Sequence, residues 1–398
     1  MIGPTIQDDI FSLITRFRFH KYVLTGDIEK MYRQFIVRPE DRQYQKILWY
    51  DKDNRITTYE LNTVTFGLSA APFLASRCLK QIALDYAEEY PLAARVLAKD
   101  MYVDDLLTGF STQQEALAAQ TQIIQCLLQA GPNIRQWASN EMSLLQHLPA
   151  EDINKHLQLD NEKTLKTLGV FWHPQSDKIN YSVKPIINSH AITTRSILAH
   201  VASLFDPLGL LGPMILLAKS IIQRLWVAKV EWDEYQPAST LYGLTSTCIQ
   251  LHGFCDASER GYGACIYVRS INTMGEIHTA LLCSRSRVAP LKTITIPRLE
   301  LSSAQTLVQL YQAVKEAITA PVSKVVFWTD SMVALHWIAS SPHKLKTFVA
   351  NRVAAIQQGS SGIDWRHIRF EDNPADALSR GQLPQELVDT CLWRQGPI

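Results

Sequence analysis

Met101-Tyr-Val-Asp-Asp-Leu-Leu-Thr108 sets two short apolar runs on either side of an acidic pair. Apolar runs of this length bounded by turn residues read as strands, so the segment predicts a strand, a tight turn at Asp104-Asp105 and a second strand. Upstream, Tyr22 to Leu24 reads as a strand leading into Thr25-Gly-Asp27, which leaves Asp27 at a strand end. With these strands as neighbours, carboxylates 77 residues apart in sequence meet on one edge. Like charges brought together are costly, and the usual compensation is a hard, oxygen-seeking divalent cation such as Mg²⁺. Taken alone, the Asp-Asp pair is better read as a polar hairpin turn.

Working outward, Lys46 to Tyr50 and Ile56 to Leu61 flank Asp51-Lys-Asp-Asn54, a hairpin signal. Ser69 to Tyr90 reads as one helix, with Pro72 in its first turn and Pro91 ending it. Residues 111–245 read as helical, interrupted by a short strand at about Leu165 to Trp172, with a second helical block from Arg195 to Val230. Tyr235 to Cys248 is rich in Ser, Thr, Pro and Gly and reads as a linker. A new module opens at Leu251. Strand-like runs at 251–255, 262–268 and 277–283 precede a helix near Pro297, a strand Val325 to Trp328, helices after Ser331 and over 343–358, and a strand about Ile363 to His367. That order predicts a mixed sheet with helices on its faces, within an α+β and α/β multidomain chain.

The second module carries its own acids. Asp256 follows an apolar strand, Glu300 stands at a helix start, Asp330 follows Val325-Val-Phe-Trp-Thr329, and Asp376 sits in Asn373-Pro-Ala-Asp-Ala-Leu-Ser-Arg380. The spacings are 44, 30 and 46 residues. In a mixed sheet these four meet at one metal-binding edge; Glu300 or Asp376 singly would also serve as a solvated cap.

Composition narrows the class. The 398 residues are 46% hydrophobic and 19% charged, which excludes disorder and predicts a chain that buries more than one core. The formal net charge of +1 excludes a global field that would pull the chain onto a polyanion or a membrane. Between Leu281 and Arg352, however, nine Lys or Arg face three acids, a local surplus suited to phosphate contacts. The longest apolar stretch, Leu208 to Ala218, is 11 residues with two Gly and a Pro, too short for a membrane span and readable as a buried helix with its entry turn. The N-terminus shows no secretory pattern, which predicts an intracellular protein. Seven cysteines without a C-x-x-C pair predict reduced, mostly buried thiols.

Three blocks of the first module resemble, in order, those of a reverse transcriptase. They are Leu24-Thr-Gly-Asp-Ile-Glu-Lys-Met-Tyr-Arg-Gln34, Thr65-Phe-Gly-Leu-Ser-Ala-Ala-Pro72 and Tyr102-Val-Asp-Asp105, which looks like the family's Y-x-D-D box. The Asp, Glu, Asp, Asp order of the second module resembles ribonuclease H. Lys30 to Gln34, Ala199 to Pro213 around Phe205-Asp-Pro-Leu-Gly209, and Leu251-His-Gly-Phe-Cys-Asp-Ala-Ser258 narrow the resemblance to the Pol polyprotein of BEL/Pao-type long-terminal-repeat retrotransposons, over nearly the whole chain.

The resemblance implies a palm with residual fingers over 1–110, the palm's end with a thumb- or connection-like helical region and linker over 111–245, a ribonuclease H-like domain over 251–385, and a tail over 386–398 leading toward an integrase. It implies RNA-directed DNA polymerase and ribonuclease H activities by two-metal phosphoryl transfer, with Mg²⁺, or Mn²⁺ in its place, two ions per site. The implied partners are an RNA template, a DNA primer, RNA·DNA hybrids, dNTPs and other Pol-derived chains, with no membrane. The implied setting is a cytoplasmic virus-like particle and the nucleus, ahead of DNA integration.

Carried over by position, Asp27 and Asp104 ligate the polymerase metals and Asp105 completes the set. Tyr32 matches the aromatic gate that excludes a ribose 2′-OH, or is an ordinary core tyrosine. Phe66, Gly67 and Tyr102 lie beside the nucleotide. Asp256, Glu300, Asp330 and Asp376 hold the nuclease metals. His367 resembles a histidine that assists product release, and fits equally as a strand-end surface residue. Arg135, followed by Gln136, receives no catalytic role. Only 26 residues precede Asp27, so most of the fingers is expected to be missing. Two further readings stay open: a hybrid nuclease whose palm only binds, and a co-opted, non-enzymatic nucleic-acid-binding protein.

Overall fold

The computed structural model describes residues 3–154, 165–167, 170–180, 205–227, 248–271, 277–318, 321–383, 386–387 and 390–397. The chain divides into two compact units, residues 1–168 with 172–177, and residues 169–171 with 178–398.

In the first unit, α1 (Ile10–Phe17), β1 (Tyr22–Ile28) and the single turn α2 (Met31–Gln34) are followed by a hairpin, β2 (Lys46–Tyr50) and β3 (Ile56–Glu60). Then come α3 (Ala71–Asp85), α4 (Pro91–Lys99), β4 (Met101–Tyr102), β5 (Asp105–Phe110), α5 (Gln113–Ala130) and β6 (Ile134–Ser139). Four strands form one sheet in the order β4-β5-β1-β6, so β1 is interior, with Val23 to Gly26 buried and Asp27 half-buried. The helix α3 buries Ala71, Ala75, Leu79 and Ala83, a stripe at four-residue spacing whose small side chains allow close approach.

Two expectations change here. The helix expected to run from Ser69 to Tyr90 stops at Asp85, and Pro91 opens a new helix rather than ending one. Proline's missing N–H costs nothing at the first helical position, so Pro91 can start a helix there. Within the stretch read as helical, Ile134–Ser139 is a strand that pairs antiparallel with β1, burying Ile134, Trp137, Ala138 and Ser139.

Short strands β7 (Leu165–Thr167), β8 (Val170–His173) and β9 (Lys178–Asn180) follow where the chain passes between units. The reading of Arg195 to Val230 is met over Gly212–Val227; 195–204 and 228–230 lie outside the described residues, as does the linker expected over Tyr235 to Cys248 except for Cys248, which opens a strand.

The second unit contains α6 (Gly212–Val227), β10 (Cys248–Ala257), β11 (Gly261–Ile271), β12 (Ile277–Val288), α7 (Ile296–Ala317), β13 (Val322–Thr329), α8 (Met332–Ala339), α9 (Thr347–Gly359), β14 (Asp364–His367), α10 (Asp376–Arg380) and α11 (Cys391–Gln395). Its sheet runs β12-β11-β10-β13-β14, antiparallel across the first three strands and parallel across the last three. One face carries α7: a Cβ on Gly253 would run into Leu307 and Phe327, so the helix needs glycine there to lie close to the sheet. The other face buries Phe254, Cys265 and Tyr267 under Leu211 and Met214 of α6, Leu378 of α10 and Trp393 of α11.

The apolar stretch from Leu208 is therefore a buried helix with its entry turn, and Asp206 holds that turn: Leu210 N–H donates to Oδ1 at 2.9 Å and Leu211 N–H to Oδ2 at 2.8 Å. This helix, read as part of a connection, belongs to the second unit because its apolar face has the sheet to cover. The segment read as a tail likewise supplies Trp393 to the core, where its indole N–H donates to the Leu210 carbonyl at 3.2 Å.

Candidate functional site

In the second unit, Cys255 of β10 pairs in parallel register with Thr329 of β13, so the residues that follow, Asp256 and Asp330, leave neighbouring strands at the same end. Glu300 faces them from the start of α7. Ligand oxygens of Asp256, Glu300 and Asp330 lie within 4.8 Å of one another, the one such set of three among the described residues.

Asp256 and Glu300 are buried, at 4% and 7% exposure, and Asp330 is half-buried. Burial first, then the charges of Asp256 and Asp330, pushes the Glu300 carboxyl up to about 9. Burial and the charge of Asp376 raise Asp256 and Asp330 as well, partly opposed by hydrogen bonds from Ser379 to Asp256 and from Asn373 to Asp330. Glu300 Oε2 and Asp330 Oδ1 are buried and have no hydrogen-bond partner. Buried oxygens without donors, in a cluster of carboxylates that repel one another, are what a divalent cation would satisfy, and hard oxygen ligands fit Mg²⁺.

Asp376 stands at the start of α10, outside that 4.8 Å set, with Oδ1 accepting from Arg380 Nε at 2.5 Å. His367 ends β14 exposed, paired with Thr329 and so adjacent to Asp330. Sequence reasoning missed the supporting groups. Asn373 is buried and ties the edge together by donating from Nδ2 to the Cys255 carbonyl at 3.2 Å. Asn373 and Ser379 both stood inside the quoted 373–380 block, but their spacing carries no sign that they reach β10 and β13.

In the first unit Asp27 of β1 is paired directly with Asp105 of β5, and Asp105 with Tyr102 of β4. The turn between β4 and β5 puts Val103 at φ +55°, a conformation that β-branched residues rarely adopt, and its N–H donates to Gln7 Oε1 at 3.1 Å. The Asp104 carbonyl accepts from Ile28 N–H at 3.0 Å, which joins this turn to the end of β1. On the other side of β1 the register with β6 shifts between Thr25 and Asp27, beside Gln136 at φ +56°, an irregularity of the kind that re-aims side chains near functional sites.

Burial, then Asp104 and Asp27, pushes Asp105 up to about 7; burial, Asp104 and Glu29 raise Asp27. Tyr32 also titrates high, from burial and the charge of Asp104, and its ring meets Phe66 edge-on at 4.8 Å. Next to Phe66, Gly67 has φ +86° and open space where a Cβ would be. Arg135 is engaged elsewhere, with Nε donating to Asp152 at 2.9 Å and Nη1 to Glu29 at 3.4 Å.

A palm-like sheet with acids at its hairpin and a mixed sheet with a buried acidic edge give the chain a fold like that of reverse transcriptases joined to ribonuclease H. The family model of the Pao retrotransposon-like RNaseH-like domain matches residues 193–245 and 241–331, and so takes in α6. No curated protein matches in sequence. Among solved structures the chain is similar to the foamy viral protease-reverse transcriptase dRH in complex with double-stranded DNA, at 14% identity and a TM-score of 0.56, over 92% of this chain and 60% of that one. The same viral enzyme in complex with an RNA/DNA hybrid matches at 14% identity and a TM-score of 0.53, over 93% and 46%. Its complex with double-stranded DNA matches at 13% and 0.51, over 93% and 72%. The chain thus spans three fifths or less of the first two structures it matches. Over residues 193–331 the chain is thus similar to the Pao retrotransposon-like RNaseH-like family, and over nearly its whole length it shares the fold of the viral enzymes it matches.

Proposed function

We propose that the second unit is a ribonuclease H that hydrolyses the RNA strand of RNA·DNA hybrids, and that the first is the palm of an RNA-directed DNA polymerase. The observation that carries this reading is the Asp256, Glu300 and Asp330 cluster, with two buried oxygens lacking partners, at the shared end of β10 and β13. Asp256, Glu300, Asp330 and, from α10, Asp376 would hold Mg²⁺. When bound, a pair of such ions activates water and stabilises the leaving oxygen of a phosphodiester. Asn373 and Ser379 orient the Asp330 and Asp256 carboxylates, and Arg380 donates to Asp376. His367, exposed beside Asp330, is in reach of a departing product.

In the polymerase reading, Asp27, Asp104 and Asp105 hold the metals, Tyr102 supports the turn, and the Tyr32–Phe66 ring pair with Gly67 forms the floor for the incoming dNTP. RNA template, DNA primer and hybrid are the partners this reading requires, within a virus-like particle.

Mg²⁺-dependent cleavage of an RNA·DNA hybrid tests the nuclease. Losing one charged group that acts in the transition state costs roughly a hundredfold to a thousandfold, so Asp330→Asn should reduce cleavage at least that much with unchanged circular dichroism. Cleavage at the wild-type rate in that variant would remove the assignment.

A second reading, a nuclease whose palm only binds, is favoured by one observation: the three palm carboxylates share an edge without coming as close as the nuclease set. Primer extension on an RNA template, lost in Asp104→Asn, would decide for the polymerase; hybrid cleavage without any extension would decide for the second reading.

A further inference from the structure

Along β10, His252 and Phe254 point to the same face of the sheet as Asp256, since side chains alternate along a strand. The register sets their neighbours. Gln250 lies between Arg269 of β11 and Lys324 of β13, His252 between Tyr267 and Val326, and Phe254 between Cys265 and Trp328, which in turn pairs with Arg366 of β14. Directly paired residues share a face, so Arg269, Lys324, Trp328 and Arg366 surround His252. Toward β11 this face is closed, because the Tyr267 hydroxyl is buried against α11 and donates to the Trp393 carbonyl at 2.6 Å. Toward β13 and β14 it is open, with Lys324 and Arg366 exposed.

The proton on His252 can be placed. Trp328 Nε1 is 3.2 Å from His252 Nδ1, and an indole N–H can only donate. Nδ1 is therefore the acceptor, and the neutral ring carries its proton on Nε2. That nitrogen is buried and has no hydrogen-bond partner. Burial first, then the charges of Arg269, Lys324 and Arg366, pushes the ring's pKa down to about 4, so the ring stays neutral with Nε2–H as a donor lacking an acceptor.

Two of the three cations have no carboxylate partner among the described residues. Arg269 donates to Gln250 Oε1 at 3.0 Å, Arg366 pairs with the exposed Asp364 at 3.0 Å and its guanidinium lies 5.8 Å from the centre of the Trp328 ring, and neither Arg269 nor Lys324 has a carboxylate partner among the described residues. A buried donor seeking an acceptor, ringed by three cations, is completed by an anion with several acceptor oxygens.

We propose that His252, Arg269, Lys324 and Arg366 form a phosphate-binding site for a nucleic-acid strand, apart from the carboxylate edge. His252 lies four residues from Asp256, about 13 Å along the strand, or the rise of about four nucleotides. A strand engaged at the carboxylates can therefore present a second phosphate here. The strand as source rests on the hybrid-nuclease reading above; the phosphate chemistry does not.

The test uses the full chain with ¹⁵N-labelled histidine. Titrating inorganic phosphate should shift the His252 Nε2 resonance saturably, and Lys324→Gln/Arg366→Gln should abolish the shift with unchanged circular dichroism. In an Asp330→Asn background, which spares the hybrid, the same double substitution should weaken hybrid binding and make its salt dependence shallower by about one for each charge removed. Lys324→Arg should keep wild-type binding. No phosphate shift at His252, with hybrid affinity unchanged by the double substitution, would overturn the proposal. A phosphate shift with unchanged hybrid affinity would overturn the strand as source and leave free phosphate as the ligand. A chain that takes phosphate at His252 yet binds no hybrid would instead overturn the nuclease reading.

Discussion

Glu300 carries its proton in the folded, metal-free protein up to about pH 9, whereas an exposed glutamate releases it near pH 4. The native state thus binds a proton that the unfolded state has lost over this window, and stability falls as pH rises through it. Asp256 and Asp330, also raised by burial, act in the same direction. In chelator, Glu300→Gln should therefore unfold at higher urea than wild type at about pH 8, by on the order of a few kcal/mol, and lose that advantage at about pH 5. Equal stability of the two proteins at both pH values would mean that Glu300 does not sit among carboxylates as described. The same logic makes Mg²⁺ affinity rise with pH, because the ligands must first give up their protons.

At the scale of elements, α6 and the β2–β3 hairpin stand at opposite ends of stability. Leu211, fully buried where α6 meets the sheet, should cost about 2–5 kcal/mol when cut to alanine, read as a shifted urea midpoint. Gly209, at φ +70°, would place a Cβ inside the Ser284 carbonyl, so Gly209→Ala should be comparably damaging. By contrast every residue of β2 and β3 is exposed, Leu48, Trp49 and Ile56 by about two thirds. A two-stranded hairpin without a covered face is marginal in water, so its amides should exchange far faster than those of β1.

These elements also mark what the sequence could reveal. Asp27, Asp104 and Asp105 were legible because strand ends and a turn are local signals, and the register of β1 with β5 needed only the hairpin to follow. The second module's strands were legible for the same reason, four of them lengthened by a few residues in the fold and the last found one residue shorter, at Asp364–His367. The strand Ile134–Ser139 was not, because Arg135-Gln136 breaks its alternation at a bulge, and only the open edge of β1 makes it a strand. Nor was the place of α6 or Trp393, since apolar residues announce burial without naming the surface that buries them. His252 gave no signal at all; its meaning depends on cations brought in from three other strands.

For the whole molecule, two units with separate cores predict two unfolding transitions rather than one. The assembled carboxylates with unsatisfied oxygens belong to the second core, so Mg²⁺ should raise chiefly the transition that Leu211→Ala lowers. A ligand that binds only the folded state stabilises it by about 2.7 kcal/mol at a hundred times its dissociation constant, enough to be read in a calorimetric scan. The first unit's acids lie on a common edge without the same close set, so without nucleotide and primer its transition should move less. Asp330→Asn should remove the response of the second transition and leave the first where it was. If Mg²⁺ raised both transitions equally, the palm would be holding the ion by itself, and the reading of that unit as a binding platform would fall.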